Sequence, residues 1–363
     1  MLRTCIALAA IVVLAAVAPC AALAQAPCCP GVQAAKAAEP PSPATGTARR
    51  VYSLADPAHP RLMGYSRLVD TLVQADVAFL GEYHEDPATH LFELDLLTQL
   101  YRAKQGAVVL SLEMFERDVQ GVLDDYLAGR ITEEEFLKQS RPWDNYDKDY
   151  RPLIEFAKEH HVPVIGANIP RPLASRVAKE GLDAALASFT PEERSWAAQS
   201  ATAPRDAYFE SFREVMSGAE GGGAHGGGMP MTDEMIYQIY QAQCIKDDTM
   251  AESIAHAHTA HPGALVVHFT GSFHVDHRLG TAMRVASREG TARLFTVALR
   301  PADSMAALDP LAESLPDGTP LADYVLFVPA PPAPAEESQP DPAPGKEAAP
   351  EKPAAPAMPA ASS

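Results

Sequence analysis

Four short apolar runs in the middle of the chain constrain its fold more than any other feature. Each is continuous and rich in β-branched residues, as is typical of a central strand buried on both faces of a sheet. Segments with helical patterning separate them, one of which starts at Asp86-Pro87. The runs are Val77-Ala78-Phe79-Leu80, Val108-Val109-Leu110-Ser111-Leu112, Val162-Pro163-Val164-Ile165 and Leu265-Val266-Val267-His268-Phe269. This alternation predicts an α/β fold with a mainly parallel central sheet and helices on both faces.

Two later runs and one inserted segment complete this prediction. Leu294 to Leu299 and Tyr324 to Val328 are expected to finish the sheet. Residues 172–231 are polar with helical patterning, which predicts a helical lobe inserted before the last part of the core. The lobe contains a glycine-rich segment, Gly218 to Gly228, which is predicted to be a mobile loop. It is either a surface linker or a functional lid.

The two ends of the chain differ in composition from the core. Residues 1–24 combine Arg3, a short apolar run and small residues ending at Ala24, the pattern of a secretory signal peptide. We therefore expect an exported, periplasmic protein with a flexible tether at 25–50, an α/β domain at 51–328 and a disordered Pro/Ala/Glu-rich tail at 329–363. Pro19 directly precedes Cys20, so no convincing lipid-attachment motif supports membrane association.

Charge and cysteine usage exclude some classes of function. The formal net charge of −18 argues against a nucleic-acid partner, because phosphate binding needs a basic face. Without the signal peptide, Cys28, Cys29 and Cys244 remain, an odd count that is no disulfide framework. The adjacent pair is suited to metal binding or cross-linking, whereas Cys244 is expected to be a buried small hydrophobe.

Polar side chains follow all four runs, where a parallel sheet binds its ligands. They are Glu82 and His84, then Glu113, then Asn168 and Arg171, and finally His274 and His277. Two of these ends share a Gly-x-x-His pattern, Gly81 to His84 and Gly271 to His274. Glycine permits a sharp turn and close backbone approach, and each imidazole can then serve as metal ligand, general base or haem ligand. Alternatively, either histidine caps a helix or satisfies a buried carbonyl.

A predicted helix after Thr232 carries two polar residues on its apolar stripe, Gln243 and Asp247. A buried carboxylate needs a partner, so Asp247 either orients a site histidine or pairs with Arg171 or Arg278. Weaker candidates lie elsewhere in the chain. His90 is expected at a solvated helix position, His256, His258 and His261 make no convincing metal site, and Trp143, Tyr146 and Tyr150 form a packed loop whose tyrosines are able to reach a flat ligand.

Several motifs, in order along the chain, resemble the ChaN-type haem-binding uptake family. They are Gly81-Glu82-Tyr83-His84-Glu85-Asp86-Pro87 with His90, Leu112-Glu113-Met114-Phe115, Tyr150-Arg151-Pro152-Leu153-Ile154-Glu155-Phe156-Ala157, Val164-Ile165-Gly166-Ala167-Asn168-Ile169-Pro170-Arg171, Ala242-Gln243-Cys244, Asp247 with Thr249-Met250-Ala251, and Gly271-Ser272-Phe273-His274. The resemblance covers most of residues 70–328. That family belongs to a superfamily with Tiki-type metalloproteases, TraB/PrgY proteins and erythromycin esterases.

The resemblance implies a haem-binding protein in iron uptake whose polar centre is formed by Glu82, His84, Glu113 and His274. The candidates for the axial haem ligand are Tyr83, His84 and His274. Further cofactor-binding candidates are Asn168, Arg171, Gln243 and Asp247. The expected partners are haem and an outer-membrane or periplasmic iron-uptake component, and a homodimer is an option. The lobe side chains that would either form a haem slot or pack as core are Tyr208, Phe209, Phe212, Met229, Met231, Tyr237 and Tyr240.

Two alternatives stay open at this stage. In the first, a metal-dependent hydrolase, peptidase or esterase, uses His84, His274 and Glu82 to hold a divalent metal ion, and Glu82 or Glu113 acts as general base. Glu82, His84, Glu113 and His274 would then be catalytic, with His84 able to activate water even without metal. In the second, the chain is a scaffold that kept these residues without an activity.

Overall fold

The computed structural model describes residues 49–217 and 231–330. The predicted signal peptide and glycine-rich segment lie outside these ranges, as do nearly all of the tether and tail. The strands are Arg50–Ser53 (β1), Arg61–Met63 (β2), Val77–Glu82 (β3), Val108–Glu116 (β4), Val164–Asn168 (β5), Leu265–Gly271 (β6), Leu294–Ala302 (β7) and Tyr324–Pro329 (β8).

The eight strands form one sheet in the order β2-β1-β8-β7-β3-β6-β4-β5. Strands β8, β7, β3, β6, β4 and β5 pair in parallel, while β1 joins β8 and β2 in antiparallel fashion at one edge. This confirms the predicted α/β fold with a mainly parallel sheet. All six predicted runs contribute a strand, although β5 begins at Val164, two residues after the start of its predicted run. Only β1 and β2 have no counterpart in the prediction, because they are short, polar and next to the tether.

The central strands are buried on both faces because alternate residues enter two separate apolar clusters. On β3, Ala78 and Leu80 pack into one cluster, and Val77 and Phe79 into another on the opposite face. Every residue of β3 and β6 is buried. Helices therefore have to cover both sides of the sheet, which places their ends beside the strand ends.

The helices seen in the described ranges are Tyr65–Leu72 (α1), Pro87–Ala103 (α2), Gln120–Leu127 (α3), Glu133–Ser140 (α4), Tyr146–Asp149 (α5), Arg151–His160 (α6), Arg171–Glu180 (α7), Leu182–Ser188 (α8), Pro191–Trp196 (α9), Ala207–Ser217 (α10), Asp233–Ala260 (α11) and Thr281–Arg288 (α12). Helix α2 begins as predicted, since the Asp86 side chain accepts a hydrogen bond from the Ala88 amide at 2.7 Å and Pro87 is its first residue. Within the described residues, no helix is both long and apolar enough to span a bilayer.

The lobe predicted between β5 and β6 consists of short helices packed on α11. Its aromatic residues form a core of their own: Tyr208, Phe209, Phe212 and Tyr240 are all buried against one another. Cys244 is buried in the same cluster, as expected. Because these rings fill the space between α10 and α11, they provide core packing and not an open slot. Met229 lies outside the described residues.

Candidate functional site

The two Gly-x-x-His segments lie side by side on neighbouring parallel strands, where Glu82 of β3 pairs with Gly271 of β6. A Cβ on Gly271 would lie 2.5 Å from Nε2 of His84, and a Cβ on Gly81 would lie 3.1 Å from Cα of Ser272. Both approaches are too close for a side chain to be accommodated without a shift. Each glycine therefore leaves the space that the other segment occupies.

Glu82 anchors the first histidine of the pair. Its carboxylate is buried, and Oε1 accepts hydrogen bonds from Nδ1 of His84 and from the Tyr150 hydroxyl, both at 2.7 Å. The His84 side chain is 37% exposed, so it reaches from this buried anchor to the surface. Its ring stands edge-on to Trp143 with 4.7 Å between centroids. The pair of contacts fixes one orientation of the imidazole at the mouth of the site.

A second buried group lies beneath His84, on helix α2. His90 is 4% exposed, which corrects the expectation of a solvated position. Its Nε2 donates to the His84 carbonyl at 3.0 Å, and its Nδ1 lies 3.0 Å from Oε2 of Glu93 and 3.5 Å from Oε2 of Glu82. Burial, together with the neighbouring Glu93 carboxylate, raises the pKa of Glu82 well above its usual range. Burial also raises the pKa of Glu93 to about 7.

These three side chains differ from the metal ligands predicted from the sequence. Among the described residues, Glu82, His90 and Glu93 form the group of potential ligands whose atoms lie within 4.8 Å of one another. The predicted set of His84, His274 and Glu82 is not such a group. Sequence reasoning missed Glu93, although its position three residues after His90 on a helix places both on one face.

The second histidine, His274, is held between two carboxylates. Its Nδ1 donates to Oδ1 of Asp247 at 2.8 Å, and its Nε2 lies 3.3 Å from Oε1 of Glu113. Burial alone would lower its pKa, but the charges of Glu113 and Asp247 raise the pKa of His274 to about 10. Both ring nitrogens therefore carry protons that face carboxylates. An imidazolium has no lone pair to offer to iron or any other metal.

The two carboxylates of this triad are themselves fully hydrogen-bonded. Asp247 also accepts from the hydroxyls of Thr281 at 2.7 Å and Tyr208 at 2.8 Å. Oε2 of Glu113 accepts from the Thr270 hydroxyl at 2.6 Å and the Gly271 amide at 2.8 Å. Despite complete burial, the charge of His274 lowers the pKa of both acids. The triad is a fixed, ionised structural element under the site.

Asp247 thus has the predicted contact with a site histidine, while the alternative partner Arg278 pairs with Asp323. Gln243, one turn earlier on α11, places its side-chain amide group 3.2 Å from Nε2 of His274, where the protonated ring needs the amide oxygen as its acceptor. The structure brings Glu82, His84, Glu113, His274, Gln243 and Asp247 together at the carboxyl edge of the sheet.

The remaining predicted residues lie around this centre. The Asn168 side chain donates to the Glu113 carbonyl at 3.3 Å and accepts from the Ile169 amide at 2.9 Å, so it shapes the end of β5. His277 hydrogen-bonds the Pro320 carbonyl, away from the centre. Tyr83 is 40% exposed, and its ring centroid lies 5.0 Å from Cζ of Arg300.

A cleft of about 1080 Å³ opens beside His84. One wall is apolar, formed by Leu91, Leu94, Pro142 and Trp143. Its basic residues are Arg141, Lys148 and Arg171, and its acidic residues are Glu85, Asp144, Asp147 and Asp149. Arg141 is engaged with Glu116 and Asp118, whereas the Arg171 guanidinium makes no ion pair within the described part of the chain. Trp143 of the predicted packed loop reaches this cleft, while Tyr146 and Tyr150 are buried.

Comparison with known proteins places this arrangement in a family. The family model described as "Haem-binding uptake, Tiki superfamily, ChaN" matches residues 68–285, more than half of the chain. The chain belongs to this ChaN family. The matched range includes both Gly-x-x-His segments and the buried residues around them, His90, Glu93, Glu113 and Asp247.

A solved structure of the family has the same fold. ChaN of Campylobacter jejuni, described in its cofacial haem complex, superposes with a TM-score of 0.54 at 16% identity, covering 77% of this chain and 97% of that one. An erythromycin esterase, EreC, in its open conformation gives a TM-score of 0.42 at 12% identity, covering 78% of this chain and 83% of that one.

One curated relative is similar in sequence. Protein RETICULATA-RELATED 5 of Arabidopsis thaliana, a chloroplastic protein, is 24% identical over 242 residues. The match covers 63% of this chain and spans only 31% of that relative's length.

Proposed function

We propose that this ChaN-family chain binds haem in the cleft beside His84. The observation that carries the proposal is the cleft itself. Apolar side chains that include the Trp143 ring, the Arg171 guanidinium, which makes no ion pair within the described residues, and the partly exposed imidazole of His84 all line one cavity of about 1080 Å³. Family membership supports the ligand, because the family is described by haem binding.

The residues of the cleft fit the chemistry of haem. Its macrocycle needs an apolar surface, here provided by Trp143 and by Leu91, which leaves 65% of its surface exposed to solvent. Its propionates need a cation, and Arg171 at the start of α7 offers a planar guanidinium suited to carboxylates. Haem supplies an iron centre that takes a His or Tyr axial ligand, and the protein tunes it by ligand identity and hydrogen bonding.

His84 is the side chain we assign to the iron. It lines the cleft, and its Nδ1 is hydrogen-bonded to Glu82 at 2.7 Å, the carboxylate support that orients metal-ligating histidines. Its Nε2, the nitrogen left for iron, packs on Gly271, so iron binding requires the ring to move away from the β6 backbone. His274, the other predicted histidine, is buried and protonated between two carboxylates. Tyr83 is exposed but packs towards Arg300, so it is the second choice.

Titration with haem tests this proposal. Purified protein is titrated with ferric haem, and the Soret band is followed against a buffer blank. We expect a saturable shift of the Soret band that Arg171→Gln weakens. A protein that leaves the haem spectrum unchanged at stoichiometric concentrations does not have this function.

Export and a role in iron uptake extend the proposal. The signal-peptide pattern of residues 1–24 supports export to the periplasm, where a haem carrier would meet its partner at the outer membrane. Cell fractionation with and without residues 1–24 tests the location.

Growth on haem as the sole iron source, compared between the wild type and a deletion strain, tests the role. Light scattering with and without haem tests the expected homodimer.

A hydrolytic activity is the second candidate, favoured by the contact between His84 and Glu82. A carboxylate that fixes Nδ1 leaves Nε2 to act as general base towards water. Hydrolysis of an activated ester that is lost in both His84→Gln and Glu82→Gln would favour it, especially if haem does not bind. If both variants hydrolyse the ester at the wild-type rate, the hydrolytic candidate would be dismissed.

A further inference from the structure

The buried group beneath His84 has features that the haem proposal does not use. Glu82, His90 and Glu93 are 1%, 4% and 0% exposed and lie at the junction of β3 and α2. They converge on one point, with their ligand atoms within 4.8 Å of one another. Two carboxylates this close in a dry environment repel one another unless a cation or a proton lies between them.

Hydrogen bonding fixes which nitrogen of His90 faces the acids. A carbonyl oxygen only accepts, so the Nε2 that contacts the His84 carbonyl at 3.0 Å must carry a proton. Nδ1 then points at Oε2 of Glu93 and Oε2 of Glu82. Metal-binding histidines are typically oriented in this way, by a backbone carbonyl on the nitrogen that does not bind the ion.

Two carboxylate oxygens of the group have no donor among the described residues unless Glu82 and Glu93 share a proton. Oε2 of Glu82 and Oε1 of Glu93 are fully buried and make no hydrogen bond within the described residues. A proton on Nδ1 of His90 would serve Oε2 of Glu93 but leave both of these oxygens without a donor, which is unfavourable in a buried site unless the two acids share a further proton. A cation placed between the three side chains would be contacted by both carboxylates.

We propose that Glu82, His90 and Glu93 bind a divalent transition-metal ion of the Zn²⁺ and Mn²⁺ class. One imidazole and two carboxylates make a mixed nitrogen and oxygen donor set that suits these ions better than Ca²⁺ or Mg²⁺, which prefer oxygen alone. His90 lines the cleft, so only this side chain separates the group from the cavity.

The proposed metal site does not include His84, the proposed haem ligand. The two are linked by Glu82, which belongs to the metal site and also orients His84. Oε1 of Glu82 holds His84, and Oε2 faces the ion, so the ion would fix the carboxylate that orients His84. The inference does not depend on haem binding, and a protein that fails to bind haem can still bind the metal.

Metal binding by haem-free protein tests the inference. The protein is stripped with chelator, titrated with Co²⁺ while the visible absorption bands are followed, and then challenged with Zn²⁺. We expect one Co²⁺ per chain, displaced by Zn²⁺, with affinity at least about 100-fold weaker in His90→Gln and Glu93→Gln. Exposed His256→Gln and Glu192→Gln are the matched controls, and they should bind as the wild type does.

X-ray absorption at the zinc edge identifies the ligand atoms of the bound ion. It is measured on the wild-type protein, so the result does not depend on whether a variant folds. We expect a first shell of nitrogen and oxygen with one imidazole. Sulfur ligands would instead place the ion on cysteines such as Cys28 and Cys29, and the inference would be wrong. It is equally overturned if no stoichiometric binding occurs, or if folded Glu93→Gln binds as tightly as the wild type.

Discussion

The imidazole of His84 lies against the Cα of Gly271, so closely that a Cβ on Gly271 would be 2.5 Å from Nε2. The contact joins two segments that are far apart in the sequence, and it explains why glycine precedes the second histidine. The position of His84 is thus set by Glu82 from one side and by the bare backbone of β6 from the other.

Gly271→Ala should displace His84 and weaken haem binding. Overpacking at a buried position costs about 1–3 kcal/mol, so we also expect a lower free energy of unfolding. Haem titration and urea denaturation measure the two effects. Gly290→Ala is the control, because a Cβ there would have no neighbour within 4 Å. Equal haem affinity in both alanine variants would contradict the role of Gly271.

Asp247→Asn should be strongly destabilising. The carboxylate is fully buried, balances the charge of His274 and accepts from two hydroxyls. Removing one partner of a buried ion pair typically costs about 3–5 kcal/mol, which urea denaturation would detect. Exposed Asp303→Asn should change the free energy of unfolding by no more than about 0.5 kcal/mol. A similarly small effect of Asp247→Asn would mean that the triad is not ionised.

Protonated His274 should make stability depend on pH on the alkaline side. Its pKa is raised from the usual 6.5 to about 10 in the folded state, so the folded protein binds the proton more tightly. The stabilisation is complete below pH 6.5 and is lost as pH rises towards 10. NMR of the ring carbons should show an imidazolium at pH 8. A His274 signal that titrates near pH 6.5 would refute the assignment.

Trp143→Ala should lower haem affinity by about tenfold, the equivalent of 1.4 kcal/mol. The indole stands edge-on to His84 and forms part of the cleft wall, so its loss removes apolar contact and lets the imidazole move. Trp143→Phe should retain most of the affinity. If alanine and phenylalanine variants bind haem as the wild type does, the ligand does not lie against this wall.

Much of the fold was predictable because burial on both faces leaves a simple pattern. Val77, Val108 and Leu265 each begin a continuous apolar run, and all three begin a strand. The edge strands β1 and β2 were not predictable in the same way. Their residues, such as exposed Arg50 and Arg61, follow no such pattern, and pairing with β8 alone makes β1 part of the sheet.

The gathering of polar side chains at the strand ends was also predictable, since parallel strands bring their carboxyl ends to one edge. The role of each histidine, however, was not predictable from the sequence. His84 and His274 share a motif, yet one reaches the cleft and the other is enclosed by Glu113 and Asp247. That difference arises from contacts across the sheet and from α11, which local spacing does not reveal. His90 was misjudged for the same reason, because Glu93 and Glu82 become its neighbours only in the folded chain.

The central claim is that His84 holds haem iron in the cleft. The most direct test is the absorption and electron paramagnetic resonance spectrum of the ferric haem complex of the wild type, His84→Gln and Tyr83→Phe. We predict a histidine-ligated spectrum that persists in Tyr83→Phe and is lost in His84→Gln. A spectrum that survives in His84→Gln and disappears in Tyr83→Phe would contradict the account and place the iron on the tyrosine.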